Sequence, residues 1–266
     1  MKEHHWRQIP PTADIDQSLP VGVRSAARPL RVLEFFDEIR RPARAREIWE
    51  RLGFPQSTTS LLLNGMVTLG YLDYDPASRS FLPSLRVAML GRWRDRGRGY
   101  TAALESVVDQ LFEYTGLSAS LTARHGIFLR YLHLVQSERA GQPHAALNTR
   151  RYAVWSTAGM VLLASTSHRE VQTLIRRTLA EKGPSVGKIR VDRIPEMLEL
   201  ARKQGYFAAT GLVTPNVRTI SMLVPAEVTK TDPALAITLA SGRSTFDQSD
   251  DKLARVMRTY LSKLLS

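Results

Sequence analysis

The stretch of this chain that most constrains its fold is residues 42–82, PARAREIWERLGFPQSTTSLLLNGMVTLGYLDYDPASRSFLP. Gly53 divides it at a position where a helix end commonly needs a residue that tolerates positive φ. The residues before Gly53 carry an apolar pattern at three-and-four spacing, which predicts a helix with one buried face. The residues of that pattern are Ala45, Ile48, Trp49 and Leu52.

A second helix is predicted after the turn at Gly53. Pro55 suits its first position, because the N–H there has no intrahelical partner and proline already has the required φ. Its buried stripe is predicted to be Leu62, Met66 and Leu69. Its early outward positions are short and polar, and they are Gln56, Ser57, Thr58, Thr59 and Ser60, with Asn64 one turn later.

Two short strands are predicted next, at residues 71–74 and 80–82, joined by the turn-forming run DPAS. Helix, turn, helix and hairpin in this order predict a winged helix-turn-helix, which places its second helix in a DNA major groove. An arginine at the hairpin tip is expected against phosphates or in the minor groove. The candidate DNA contacts are Arg44, Arg46, Gln56, Ser57, Thr58, Thr59, Ser60, Leu61, Asn64 and Arg79.

These features also have a plainer interpretation. Short polar residues at a helix N-terminus serve as caps, and Arg79 is equally consistent with a solvated turn. The DNA interpretation depends on the helix dipole, which favours an anion at the N-terminus of the second helix. Both interpretations stay open at this point.

The segments that flank this motif complete the predicted domain organisation. Residues 25–39 predict a supporting helix with an apolar stripe at Leu30, Leu33, Phe36 and Ile39. Residues 1–20 show little apolar periodicity and predict a mobile tail. We expect a winged helix-turn-helix over 21–83 and an effector-binding domain over 100–266.

A linker helix is predicted between the two domains, at residues 84–99. Its apolar face is Leu85, Ala88, Met89 and Trp93, which is typical of a packing or dimer surface. Its arginines are candidates to hold DNA, and a solvated charged face is the alternative. These arginines are Arg92, Arg94, Arg96 and Arg98.

Composition limits the class of protein. A chain of 266 residues suits two domains, and the apolar and charged contents of 43% and 23% are ordinary for a globular protein. Cysteine is absent, which excludes disulfides, zinc-thiolate sites and a thiol nucleophile and favours a cytoplasmic location. No apolar run reaches the ~20 residues needed to cross a bilayer, so no membrane partner is expected.

The charge distribution indicates a polyanionic partner. The net charge is +12, and residues 21–100 contain 14 arginines, no lysine and 8 acidic residues. Charge density is higher there than in residues 101–266, which carry 21 basic and 14 acidic residues. Arginine rather than lysine also suits bidentate contacts with phosphate and guanine.

The second half of the chain alternates helices and strands. A helix is predicted over 103–115, a hairpin over 117–124 and 127–135, and helices over 158–165, 169–182 and 189–204. Strands are predicted over 206–212, 217–225 and 234–240, and a closing helix over 248–264. This order predicts an α+β domain whose helices pack on one face of the sheet.

Both halves together resemble the IclR family of bacterial transcriptional regulators, from about residue 25 to the C-terminus. The N-terminal match is EIWERLGFPQSTTSLLLNGMVTLGYL, and the C-terminal matches are WSTAGMVLLA, ARKQGYFAATGLVTPNVRTISMLVP and ALAITLASG. The resemblance implies a winged helix-turn-helix, a linker helix and a GAF-like effector-binding domain with an antiparallel sheet. It also implies dimers or tetramers on palindromic operators.

Several positions depart from the family pattern. Ser60 and Leu61 stand where the family usually has an aromatic residue or His followed by Arg, so an outward Leu61 is expected to meet a thymine methyl. Trp155 replaces the His of the family's H-x-T-A-x-G-K run, and the Lys of that run is absent from this chain. Asn216 stands at a usual Gly.

The resemblance places a ligand site in the second domain. Thr157, Ala158 and Gly159 match the family and begin a helix whose N–H groups are expected to bind a carboxylate. Because several polar anchors are apolar here, we expect an organic acid that is larger than a two- or three-carbon acid and is aromatic. The candidate effector contacts are Trp155, Thr157, Ala158, Gly159, Met160, Ala209, Arg218, Thr219, Met222, Leu239 and Ser241. The plainer alternative is that Trp155 and the methionines only fill the core.

An enzyme and a protein-binding winged helix are the rival functions. The six histidines show no H-E-x-x-H spacing, and the chain has no G-x-S-x-G and no Gly-rich phosphate loop, so no catalytic role and no cofactor are predicted. A winged helix without a small-molecule ligand that binds a protein stays as the alternative. Loss of DNA affinity with rising salt would distinguish a regulator from it.

Overall fold

The chain divides into two compact units, residues 1–98 and 99–266, in a computed structural model. The structure describes residues 21–91, 100–137, 145, 149, 151–182, 191–229, 234–242 and 248–265. The predicted tail, the four linker arginines and Trp93 lie outside these residues. Each unit is described by itself.

The N-terminal unit is a winged helix-turn-helix, as predicted. Its helices are α1 (Val21–Ile39), α2 (Ala45–Leu52), α3 (Gln56–Thr68) and the short α4 (Leu85–Leu90). Its strands are β1 (Ala43–Arg44), β2 (Leu72–Asp75) and β3 (Ser80–Pro83), which form an antiparallel sheet in the order β1-β3-β2. The two-residue strand β1 was not predicted, because two residues are too few to show a period.

The turn between α2 and α3 has the predicted chemistry with one shift. Gly53 ends α2 at φ 67°, and its N–H donates to the carbonyl of Trp49. Pro55 has ψ 137° and therefore lies at the N-cap of α3, one position before the first helical residue where it was predicted. The helix thus begins at Gln56.

In α1 and α3, the buried residues differ in part from the predicted apolar stripes. α1 buries Val32, Phe35 and Phe36, whereas Leu30 is 61% exposed. α3 buries Thr59, Leu63 and Met66, while Leu62 is half-buried and Leu69 is 62% exposed. The three consecutive leucines at 61–63 fit more than one helical phase. The apolar period alone therefore predicted Leu62 as the buried residue, whereas the structure buries Leu63.

The hairpin of β2 and β3 is closed by its own side chains. The Asp75 carboxylate accepts hydrogen bonds from the Ser78 hydroxyl and from the N–H groups of Ala77 and Ser78. These bonds, and the one from the hydroxyl most of all, lower the pKa of Asp75. Arg79 follows at φ 53°, in the left-handed region that ends the turn. The tip is therefore held as a defined loop.

The C-terminal unit is an α+β domain around one sheet, which confirms the predicted fold class. Its strands are β4 (Ser118–His125), β5 (Phe128–Val135), β6 (Arg151–Tyr152), β7 (Tyr206–Thr210), β8 (Val217–Leu223) and β9 (Leu235–Gly242). The sheet is antiparallel throughout and has the order β6-β5-β4-β9-β8-β7. Its helices are α5 (Tyr100–Thr115), α6 (Thr157–Ala164), α7 (His168–Lys182), α8 (Ile194–Gln204), α9 (Ala226–Thr229) and α10 (Asp250–Ser262), with 3₁₀ turns at Ala153–Trp155 and Val191–Arg193.

Helices cover both faces of this sheet, and the prediction that they pack on one face is wrong. α5 and α10 share a core with Leu121, Ile220 and Leu239, while α6 and α8 share a second core with Phe207 and Ala236. The alternation of side chains along each strand separates the two cores. Strand β9 is buried on both faces for most of its length, so it reads as a nearly continuous apolar run.

Within the described ranges, no helix has the length and apolar character to span a membrane.

Candidate nucleic-acid interface and ligand site

The outward face of α3 carries most of the predicted DNA contacts. Gln56, Ser57 and Asn64 are exposed, and Thr58 and Ser60 are half-buried. Leu61 is 75% exposed. The first turns of α3 therefore present hydroxyl and amide groups around one apolar side chain.

Thr59 does not belong to this face, and its prediction as an outward residue is wrong. Its side chain is fully buried, and its hydroxyl donates to the carbonyl of Pro55 at 2.9 Å. A helix turns by 100° per residue, so a run of five consecutive positions cannot all face outward. Thr59 is the member of the run that faces the core.

The arginines among the predicted DNA contacts lie outside α3, which contains no arginine. Arg44, at the start of α2, donates from Nε to the carbonyl of Ser78 at 3.1 Å and so joins α2 to the hairpin tip. Arg79 is exposed at that tip. Arg46 is exposed and pairs with Glu50 at 2.7 Å, so part of its charge is compensated. The predicted cationic contacts thus lie on β1, on α2 and at the tip of the hairpin, and not on α3.

The predicted effector residues fall on two opposite faces of the C-terminal sheet. Thr157, Ala158 and Met160 of α6 belong to the face that also carries Ala209 and Thr219, and Trp155 packs against the same core. The other face, toward α5 and α10, carries Arg218, Met222, Leu239 and Ser241.

These four residues cannot share one site with Thr157, and their prediction as effector contacts beside it is wrong. Arg218 forms an ion pair with Asp250 of α10 and donates to Thr210, while Met222 and Leu239 are buried among α5 and α10. Residues 218 and 219 are neighbours on β8 and therefore point to opposite faces. A motif match gave the right strands but not the right face.

A chain of hydroxyl groups runs across the face that carries α6. The Thr238 hydroxyl lies 2.8 Å from that of Ser221, which donates to Thr157 at 2.8 Å, and Thr157 donates to Thr219 at 3.0 Å. Ser221 and Thr157 each donate their one hydroxyl proton to the next oxygen. Thr238 is therefore the donor to Ser221. The donors therefore all point toward Thr219, which is half-buried.

Further hydroxyl groups on β4 face the same side and were missed by the sequence analysis. Ser118, Ser120 and Thr122 are buried, and Ser120 is the cross-strand partner of Thr238. Their signal is the alternation of polar and apolar residues in SASLTA, since positions 119 and 121 belong to the other core. A sheet surface lined with hydroxyls makes multiple hydrogen bonds possible in a dehydrated space.

The start of α6 is built tightly. Ser156 caps the helix, because its Oγ accepts from the N–H of Gly159 at 3.0 Å. A Cβ at Gly159 would lie 1.7 Å from the carbonyl oxygen of Ala153, so only glycine fits there. Gly159 thus serves packing, and its N–H is already satisfied, contrary to the expected carboxylate contact.

Three aromatic rings lie next to the start of α6. The rings of Phe128 and Tyr152 have centroids 4.9 Å apart, and those of Tyr152 and Trp155 are 5.1 Å apart in an edge-on arrangement. Trp155 immediately precedes Ser156, and Tyr152 lies three residues before Trp155 in the chain.

A cavity of about 620 Å³ opens elsewhere on this unit, between α7 and α8. Its floor includes Val171, Ile175 and Leu198, and its rim includes Arg176 and Arg202. None of the predicted effector residues lines it. The described residues of the chain contain no cluster of three potential metal-ligating side chains.

Comparisons with known proteins agree with this architecture. Residues 25–76 match the IclR helix-turn-helix domain family. None of the curated proteins matches the chain. An IclR homolog from Microbacterium hydrocarbonoxydans, solved in complex with 4-hydroxybenzoate, superposes with a TM-score of 0.60 at 19% identity over 90% of this chain and 96% of that chain.

Two further solved structures have the same fold. The IclR transcriptional regulator from Alicyclobacillus acidocaldarius has a TM-score of 0.59 at 21% identity over 90% of this chain and 96% of that chain. The IclR protein from Thermotoga maritima has a TM-score of 0.60 at 13% identity over 91% of this chain and 97% of that chain. At these identities the likeness establishes the fold.

Proposed function

We propose that this chain is an IclR-type transcriptional regulator that binds a palindromic operator, and that a small aromatic acid sets the affinity of the protein for this operator. It acts as a homodimer or homotetramer, and it has no catalytic role. The observation that carries the DNA part of the proposal is the exposed polar face of α3 beside an arginine-bearing wing.

The DNA-binding role is supported by the side chains of α3 that are not used in the core of the unit. The core of α3 is complete without Gln56, Ser57, Leu61 and Asn64, which leaves these residues for a partner. Arg44 and Arg79 flank the wing, where the phosphates of a duplex would lie. A helix N-terminus adds a favourable field for an anion.

The ligand class is argued from the face that carries α6. Thr219 is half-buried and is the last member of the hydroxyl chain, in which it only accepts a hydrogen bond. Its hydroxyl is therefore suited to donate to a ligand oxygen. The rings of Tyr152 and Trp155, which precede the start of α6, would supply the aromatic contact. A hydroxylated aromatic acid combines both demands, and the relative from Microbacterium hydrocarbonoxydans was solved with such a compound, 4-hydroxybenzoate.

The carboxylate of this ligand is placed at the first turn of α6. The N–H of Gly159 is taken by Ser156, and the N–H of Met160 is taken by the Ser156 carbonyl. In the part of the chain that the structure describes, the N–H groups of Thr157 and Ala158 remain for the anion. This assignment replaces Arg218, which is committed to Asp250.

Regulation follows from linkage between ligand and DNA. A ligand that prefers one arrangement of the effector domains changes the spacing of two recognition helices, which must fit half-sites about one or two helical turns apart. A coupling of ~1 to 3 kcal/mol changes operator affinity by about 5- to 150-fold. Such a change is sufficient for a switch.

Operator binding is tested with the DNA upstream of the protein's own gene. We expect a footprint and a steep loss of affinity between about 50 and 200 mM salt, because each neutralised phosphate releases counterions. A protein that binds another protein through its wing would give no footprint at any salt concentration, and that result would overturn the proposal.

Ligand binding is tested by thermal shift with matched acids. We expect 4-hydroxybenzoate to raise Tm more than benzoate, and benzoate more than pyruvate. A ligand at about one hundred times its Kd stabilises the folded state by ~2.7 kcal/mol. Stabilisation by pyruvate alone, or by none of a broad panel of aromatic acids, would contradict the proposed ligand class.

A further inference from the structure

The recognition helix carries no charged residue. α3 is QSTTSLLLNGMVT, so neither Lys nor Arg nor an acidic residue occurs between Gln56 and Thr68. The commonest base-specific contact in a major groove is an arginine or lysine to guanine, and glutamate or aspartate accepts from cytosine. α3 can make neither contact. Readout by this helix therefore has to use neutral groups.

Leu61 occupies the middle of the outward face. It is 75% exposed, whereas the two leucines that follow it are half-buried and buried. Ser57 and Thr58 precede it by four and three residues, and Asn64 follows it by three, so these residues surround it on the helix surface. A single exposed leucine is ordinary on a protein surface. Its place at the centre of the recognition face is what distinguishes Leu61 from the other exposed leucines.

Asn64 supplies the polar complement. Its side chain is exposed, and in the described structure its hydrogen bond is made by the backbone carbonyl, which accepts from Thr68. The amide is thus available for a base edge. Asparagine and glutamine donate to N7 and accept from N6 of adenine as a matched pair of hydrogen bonds once the amide is suitably turned. Neighbours at i and i+3 on a helix face adjacent base pairs when the helix lies in the groove.

We propose that α3 reads A·T base pairs, with Leu61 packed on a thymine C5-methyl group and Asn64 bound to an adjacent adenine. This inference rests on the proposed function. It assigns specificity to neutral side chains of α3 and affinity to arginines outside it, such as Arg44 and Arg79. Because neutral contacts release no counterions, the preference for the correct operator stays constant with salt while the affinity falls.

The experiment begins with selection of bound sequences from a random duplex pool by the full-length protein. We expect the enriched half-site to contain adjacent A·T pairs at the positions read in the major groove. Each thymine of the half-site is then replaced by deoxyuridine, which removes only the methyl group. Since burial of one such group is worth ~0.8 kcal/mol, one replacement in the contacted position weakens binding about fourfold.

Two leucine variants identify the side chain. Leu61→Ala is expected to bind the thymine and deoxyuridine operators equally. Leu69→Ala is the matched control, because Leu69 is also exposed, at 62%, but lies at the other end of α3. It is expected to keep the fourfold preference. Circular dichroism of both variants verifies folding.

The outcomes separate the two levels of the proposal. Enrichment of G·C pairs at the positions read by α3, equal binding of thymine and deoxyuridine operators by the unsubstituted protein, or an unchanged methyl preference in Leu61→Ala would overturn the inference. Failure to enrich any sequence, together with no salt-dependent binding to any duplex, would overturn the proposed function instead.

Discussion

The Thr157 hydroxyl donates to the Thr219 hydroxyl at 3.0 Å and so joins the first turn of α6 to strand β8. Thr157 also accepts from Ser221, which is fully buried. Each hydroxyl in this chain polarises the next one, and the chain depends on every member to satisfy its neighbours. A ligand that accepts from Thr219 would extend a network that already crosses the sheet.

Replacement of Thr157 by valine is expected to lower the free energy of unfolding by about 1 to 3 kcal/mol. The shape of the side chain is kept, but the buried donor of Ser221 loses its acceptor. Denaturant unfolding measures the change. Thr173→Val is the control, because Thr173 is exposed on α7 and is expected to change stability by no more than about 0.5 kcal/mol. Equal effects of the two variants would contradict the role of the hydroxyl chain.

Gly159→Ala is expected to destabilise the C-terminal unit by about 3 kcal/mol or more. The added Cβ would lie 1.7 Å from the Ala153 carbonyl oxygen, and backbone cannot move aside as a flexible side chain does. Thermal unfolding measures the loss of stability.

A glycine in the other unit provides the matched comparison for Gly159→Ala. Gly65 lies inside α3 with no atom within 4 Å of an added Cβ. Gly65→Ala is expected to stabilise the protein by roughly 0.5 to 1 kcal/mol, because alanine restricts the unfolded chain and favours a helix. Tolerance of alanine at position 159 would show that the start of α6 is looser than the structure indicates.

The residues of the turns made the helix-turn-helix predictable from the sequence. The direction in which each α3 side chain points was predicted less well, because it depends on the helical phase. Gly53 and the DPAS turn have conformational requirements that few residues meet, so they marked the breaks correctly. Thr59 was placed outward because a polar residue in a polar run carries no sign of its direction. Its burial depends on the packing of α3 against α1 and α2, which no local pattern reports.

The candidate ligand site was harder to predict because its residues depend on which face of a strand is used. The match to a known motif identified Thr157 and Thr219, and the structure brings them together. The same match also selected Arg218 and Met222, which face α10 and α5. Strand parity alone separates 218 from 219, but it could not say which parity faces α6. The polar alternation of SASLTA in β4 is a signal for the face that carries α6, but it was not used in the prediction.

Tyr206 is expected to make stability depend on pH in the alkaline range. Its hydroxyl donates to Asp251 of α10 at 2.7 Å, and this bond raises the pKa of Tyr206 to about 12. Since the pKa is raised above the value of about 10 in the unfolded chain, the stabilisation is complete below pH ~10 and is lost as pH rises toward ~12. Tyr206→Phe should cost about 1 kcal/mol at pH 8 and less at pH 11.

The difference between the two proteins is the quantity to measure for Tyr206, because other groups also titrate above pH 10. Denaturant unfolding of the unsubstituted protein and of Tyr206→Phe at both pH values gives it directly. Tyr114→Phe serves as the control, since Tyr114 is 62% exposed, and it is expected to change stability by no more than about 0.5 kcal/mol. A Tyr206→Phe effect that is constant from pH 8 to pH 11 would exclude the bond to Asp251 as its source.

Arg79→Ala is expected to reduce the salt dependence of DNA binding. Arg79 is exposed at the tip of the wing, where it is placed to neutralise a phosphate. Loss of each such contact lowers the slope of log affinity against log salt by about 0.9. Arg79→Lys keeps the charge and should keep most of the slope. Arg193→Ala is the control in the C-terminal unit. It removes an exposed arginine that pairs with Glu196 of the same unit, and it should leave the slope unchanged. If Arg79→Ala and Arg193→Ala give the same slope as the unsubstituted protein, the wing does not contact the DNA backbone through Arg79.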